Sequence, residues 1–132
     1  LKSLTLAATV DNIPTVTDFV DQIIEDCPMK AIVQVNLAID EIFGNIAHYA
    51  YPNGTGNATV SVDLDDLSIK IVFSDEGVPF DPLQQTDPDI EQSVEERSVG
   101  GLGIFMVKKI MDFVEYEYRE GKNILSIVKK LT

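Results

Sequence analysis

Glu41 and Asn45 stand four residues apart in the stretch Glu41-Ile42-Phe43-Gly44-Asn45, a spacing that stacks a carboxylate and a carboxamide on one face of a helix. His48 continues that face. Around them Ile32, Val35, Ile39, Ile42, Ile46 and Tyr49 recur at helical steps, so the polar residues interrupt a stripe that reads as buried. Buried polar groups need partners. A Glu–Asn pair facing a cavity suits a metal ion with a phosphorylated ligand, because a carboxamide oxygen is a hard ligand for Mg²⁺ and a carboxylate can accept a proton.

Two further clusters could join that face. Asp75-Glu76-Gly77-Val78-Pro79-Phe80 follows an alternating apolar run, where an acceptor carboxylate could meet a ligand and Gly77 would let it approach the backbone. Gly100-Gly101-Leu102-Gly103 opens an apolar periodic segment, and exposed amides at a helix start favour phosphate. Each cluster alone has an ordinary explanation. An Asp followed two residues later by Gly is commonly a turn, a glycine-rich helix start without a preceding strand falls short of a dinucleotide fingerprint, and Glu41 and Asn45 can simply bond each other. For His48 the ordinary explanation, a satisfied and partly buried histidine, is preferred, and it is assigned no catalytic role. The conjunction of the three clusters in this order is what carries functional weight.

The elements that must position these residues follow from periodicity. Leu4, Leu6 and Ala8 alternate with polar or small neighbours as a strand, closed by Asp11-Asn12-Ile13-Pro14. Ile13, Val16, Phe19, Val20, Ile23, Ile24 and Cys27 mark an amphipathic helix that Pro28 ends. A second helix runs from near Lys30 to about Tyr49, broken by Pro52-Asn53-Gly54-Thr55-Gly56-Asn57. Val60 to Phe73 reads as a hairpin turning at Asp65-Asp66. Ser74 to Val99 lacks sustained periodicity and is crowded by Asp87, Asp89, Glu91, Glu95 and Glu96, the length and character of a functional lid. A helix from Gly100 carries Ile104, Val107, Ile110 and Met111, and two strands, Val114 to Arg119 and Ile124 to Lys130, turn at Gly121. This order predicts an α+β two-layer sandwich, a mostly antiparallel sheet with helices on one face.

Composition narrows the classes. At 132 residues the chain is expected to form one domain, residues 1–132, burying roughly two-thirds of its unfolded surface. A net charge of −12 repels nucleic-acid backbones and anionic membranes and favours a protein partner, a basic one above all. The single cysteine, Cys27, excludes an intrachain disulfide and a multi-thiolate metal site; with no leader-like segment, a cytoplasmic setting is expected. No apolar run approaches membrane-spanning length. The numbering, beginning at Leu1, is expected to start inside a longer chain.

Taken together, Ala38-Ile39-Asp40-Glu41-Ile42-Phe43-Gly44-Asn45-Ile46-Ala47-His48-Tyr49-Ala50-Tyr51, Asp75-Glu76-Gly77-Val78-Pro79-Phe80-Asp81-Pro82 and Gly100-Gly101-Leu102-Gly103-Ile104 resemble the GHKL ATPase superfamily. This is the Bergerat-fold group of DNA gyrase, heat-shock chaperone, histidine kinase and mismatch-repair ATPase domains. Within it the chain looks most like the anti-sigma factor serine kinases of bacterial partner-switching pathways. The resemblance implies ATP and Mg²⁺ as cofactors, with Asn45 on the metal and Asp75 accepting from the adenine amino group. Gly77 would admit the base, and Gly100, Gly101, Leu102 and Gly103 would wrap the phosphates. Glu41 would be general base toward a serine hydroxyl, and Arg97 would neutralise the terminal phosphate. It further implies a sigma factor and a STAS-type antagonist as partners, and a homodimer with no direct contact to nucleic acid or membrane. A nucleotide-gated binding module without transfer is the alternative, and a detached histidine-kinase catalytic domain a weaker one, since no helical segment with a phosphoacceptor histidine is recognised.

Overall fold

Five strands and three α-helices build the described part of the chain, which in this computed structural model comprises residues 1–84 and 101–132, with Gly101 and Leu102 described as backbone only. In chain order they are β1 (Lys2–Ala7), α1 (Ile13–Ile24), α2 (Met29–Tyr49), β2 (Asn57–Leu64), β3 (Ser68–Asp75), α3 (Gly101–Ile110), β4 (Phe113–Arg119) and β5 (Lys122–Lys130). The strands form one sheet in the order β1-β2-β3-β5-β4, every neighbouring pair antiparallel. The expected α+β architecture is what the chain adopts.

Alternation along the strands decides which side is dry. Val60 and Val62 of β2, Ile69, Ile71 and Phe73 of β3, and Leu125 and Ile127 of β5 point to one face and are buried. They meet Val16, Val20 and Ile24 of α1, Val35, Ile39, Ile42 and Phe43 of α2, and Val107 of α3 in a single core. The opposite face carries Ser3, Thr5, Thr59 and Ser61, whose hydroxyls pair across β1 and β2 at 2.8 Å. Among the described residues, helices thus cover one side of the sheet only.

Boundaries differ from the sequence expectation in small, explicable ways. Helix α1 stops at Ile24 rather than reaching Cys27; Pro28 disfavours helical geometry at Cys27 itself, and the Cys27 amide closes a turn on the Ile24 carbonyl at 2.9 Å. Cys27 is free and half-buried, and burial followed by the neighbouring Asp26 charge pushes its thiol pKa up. The β2–β3 turn includes Leu67 as well as the two aspartates, since Asp65 Oδ1 accepts from the Leu67 and Ser68 amides at 2.7 and 2.9 Å. Strand β5 begins at Lys122, earlier than Ile124, because Glu120 and Gly121 both take positive φ (55° and 79°) and complete a two-residue turn.

Candidate nucleotide and phosphoryl-transfer site

Asp75 is the last residue of β3, on the inward side of the sheet, and only 6% exposed. A buried carboxylate needs donors. Its Oδ1 accepts from the Gly77 amide at 2.9 Å and from Nδ2 of Asn123 at 2.9 Å. Asn123 is the direct register partner of Asp75 on β5 and is itself 7% exposed. Its amide also donates to the Val78 carbonyl at 2.9 Å, and its Oδ1 accepts from the Phe80 amide at 3.1 Å and the Tyr116 hydroxyl at 2.5 Å. One side chain therefore holds the carboxylate, the loop over residues 77–80 and a tyrosine of the neighbouring strand. Burial, partly opposed by the bond from the Phe80 backbone, raises the Tyr116 pKa, which keeps the hydroxyl a donor at neutral pH.

The same loop is fastened to the end of α2. Val78 N–H donates to the Ala50 carbonyl at 2.8 Å, and a Cβ added to Gly77 would strike that carbonyl and the Ala50 backbone. The room that glycine leaves is filled by the protein itself. Tyr51 braces the junction: its hydroxyl donates to the Asn57 carbonyl at 2.6 Å and accepts from the Glu76 amide at 3.0 Å, while its ring occupies the space beside Gly56.

Asn45 and Asp75 line one cleft of about 410 Å³, counted to its open mouth, with Ile42, Phe73, Val78, Phe80, Tyr116 and Leu125 among its walls. Apolar walls with a single carboxylate at the base suit a flat heteroaromatic ring with an exocyclic amino donor. Both bonds to Asp75 fall on Oδ1, so Oδ2 is left for such a donor. Asn45 of α2 lines the same cleft.

Glu41 lies one turn before Asn45 on α2 and faces α3. Burial raises its carboxyl pKa, and a side-chain hydrogen bond with Asn45 partly opposes the rise. Its Oε1 is buried with no hydrogen-bond partner among the described residues. Against it packs Gly103, where a Cβ would fall on the carboxylate. A half-buried carboxylate of raised proton affinity with one unused oxygen can take a proton. Among the described residues no cluster of three or more His, Cys, Asp or Glu side chains could hold a metal by itself. Asn45 with phosphate oxygens and water remains a fitting set for Mg²⁺, which commonly keeps several waters and few protein ligands.

The structure thus brings Glu41, Asn45, Asp75, Gly77 and Gly103 to neighbouring positions. His48 is corrected: it is exposed rather than partly buried, because full burial of α2 side chains ends at Phe43 and the last turns run past the core. Arg97, Gly100 and the acids Asp87 to Glu96 lie outside the described residues, as does the side chain of Leu102. Asn123, Tyr116 and Tyr51 were missed in the sequence. The one signal for Asn123 was an amide at an inward position of an alternating strand, in line with Leu125 and Ile127.

A profile of the histidine kinase-like ATPase domain matches residues 6–129, nearly the whole chain. The chain belongs to the histidine kinase-like ATPase family. Among curated relatives, a serine-protein kinase RsbW of Bacillus cereus is 31% identical over 98 residues, which cover 71% of this chain and 61% of the relative. An anti-sigma F factor of Clostridium acetobutylicum is 28% identical over 123 residues, 88% of this chain and 80% of the relative. The chain therefore spans about three-fifths of the length of the RsbW relative it matches. In this family member, no helix among the described residues is long and apolar enough to cross a membrane.

Proposed function

We propose that the protein is an ATP-binding anti-sigma factor and serine kinase that phosphorylates a STAS-type antagonist. The observation that carries this reading is the placement of Glu41 beside Asn45: a proton acceptor with an unused oxygen adjoins the amide that lines the nucleotide cleft. A module that only binds nucleotide has no use for such a base. The names of the relatives, a serine-protein kinase and an anti-sigma factor, point the same way.

In this reading Asp75 and the walls of the cleft orient the base of ATP, and Asn45 would hold Mg²⁺, which would supply charge neutralisation at the phosphates. Glu41 takes the proton of the acceptor serine as its Oγ bonds to the γ-phosphorus. The bond from that phosphorus to the bridging oxygen breaks, and ADP departs with the electron pair. Phosphoryl transfer depends mainly on positioning and charge, so Glu41 contributes a smaller factor, about 10²–10⁴. Gly101, Leu102, Gly103 and, outside the described residues, Gly100 and Arg97 complete the proposed phosphate surroundings. The excess of acidic residues suits partners with basic docking faces, the sigma factor among them. Homodimerisation and a cytoplasmic setting belong to the same proposal.

Incubation with Mg²⁺-ATP and a STAS-type antagonist tests it: phosphoserine should form with the wild-type chain and vanish with Glu41→Ala. Mg²⁺-ATP at a hundredfold excess over its dissociation constant should also stabilise the fold by about 2.7 kcal/mol. Stabilisation without transfer to any antagonist would favour the nucleotide-gated module, and no stabilisation would remove both.

A further inference from the structure

Gly103 sits in the first turn of α3, facing Glu41 across the α2–α3 contact. The three atoms nearest to a Cβ built at Gly103 are both carboxylate oxygens and Cδ of Glu41. No backbone atom obstructs that position more closely. The neighbour that a side chain would displace is therefore the far end of a flexible side chain, not the frame of the helix.

Resting on the kinase reading above, we propose that Gly103 is a positioning residue: the absence of a side chain there lets the Glu41 carboxylate lie between α2 and α3, beside Asn45, where it can take the acceptor proton. This role differs from phosphate wrapping, which would use the Gly103 amide, a group every L-residue except proline retains.

Two features make the carboxylate's place depend on this vacancy. Among the described residues Oε1 has no hydrogen-bond partner, so apart from the Asn45 interaction they hold the group by packing. A recess at the same contact, lined by Glu41 and Gly103 together with Leu37, Asp40, Met106 and Ile110, offers somewhere to go. A methyl group at position 103 takes the volume the carboxylate holds and turns it into that recess, away from Asn45. A general base moved by an ångström or more loses most of its effect.

The test is steady-state kinetics of Gly103→Ala with Mg²⁺-ATP and a STAS-type antagonist. The expected result is a fall in kcat of about 10²-fold with the ATP dissociation constant unchanged within about twofold. Glu41→Asp, whose shorter arm leaves room for the methyl, should lower kcat by itself, and Gly103→Ala should lower it no further in that background. Gly103→Ala should add nothing to Glu41→Gln. Weakened ATP binding by Gly103→Ala, or an equal loss in the Glu41→Gln background, would overturn the proposal, since neither follows from displacing the Glu41 carboxylate. Should Gly103→Ala fail to fold, the Glu41→Asp/Gly103→Ala double variant decides, because its failure as well would show that the backbone rather than the carboxylate needs the glycine. If Glu41→Gln transfers at the wild-type rate, the kinase reading fails separately. A crystal structure of Gly103→Ala then shows the carboxylate displaced, supporting the contact, or in place, refuting it.

Discussion

The two ends of the site are built on opposite principles. Around Asp75 nearly every polar group has a partner: Asn123 alone binds the carboxylate, two positions of the following loop and Tyr116. Around Glu41 the balance is reversed, with a buried oxygen that has no partner among the described residues and a carboxyl pKa raised by burial. A saturated network fixes one geometry and resists change, which suits recognition of an invariant ring. A group left short of partners keeps the capacity to gain one, which suits a residue whose work is to accept a proton. Site chemistry here is divided by hydrogen-bond supply as much as by residue type.

The largest effect that would break this contrast is expected at Asp75. Asp75→Ala should abolish ATP-dependent thermal stabilisation and, by leaving the Asn123 amide without its carboxylate, cost about 1–3 kcal/mol of fold stability, measured by urea denaturation. Asn45→Ala comes next: it should remove the Mg²⁺-dependent part of nucleotide affinity and reduce transfer more than any change at His48, as titration calorimetry with and without chelator would show.

Glu41→Gln should separate the two ends outright. Transfer should fall by about 10²–10⁴-fold while nucleotide-dependent stabilisation persists. Stability should move the other way. The folded carboxyl titrates above the ordinary glutamate value of 4.5, so between that value and the raised one the folded state holds a proton that the unfolded chain has lost. In that window unfolding becomes easier as pH rises. At neutral pH Glu41→Gln should therefore melt higher than wild type, and its melting temperature should lose part of its decline across the window. For transfer itself, wild-type activity should increase with pH through the raised pKa, since only the ionised carboxylate accepts the proton.

Smaller effects sharpen the comparison. Tyr116→Phe removes one donor from Asn123 Oδ1 but leaves the Phe80 amide in place, so a loss of about 0.5–1.5 kcal/mol is expected, with nucleotide affinity weakened by less than about tenfold. His48→Ala, on the exposed end of α2, should change stability by no more than about 0.5 kcal/mol and leave transfer intact.

The sequence made one half of this picture readable and hid the other. Asp75, Glu41 and Asn45 could be found because each is polar at a position whose neighbours are periodic and apolar. The partners of Asp75 could not, because Asn123 is 48 residues away and only the pairing of β3 with β5 places it opposite. The contact between Glu41 and Gly103 was equally invisible, since the spacing within a helix says nothing about which element packs across from it. Gly77 was read for the access it could give a ligand, whereas its smallness is used against Ala50. His48 shows the limit of helical periodicity: a residue can share a face with buried neighbours and still lie beyond the end of the core.

The tight turn at Glu120 and Gly121 has a reach beyond its own two residues. It sets the pairing of Arg119 with Lys122, and so the phase in which β5 returns along the sheet. A slip of one residue would rotate Asn123 to the open face and bring Lys122 or Ile124 inward beneath the cleft. The hydrogen bonding of the Asp75 carboxylate is thereby coupled to the hairpin loop between β4 and β5, and lengthening that loop by a single residue is a remote way to unmake this corner of the cleft.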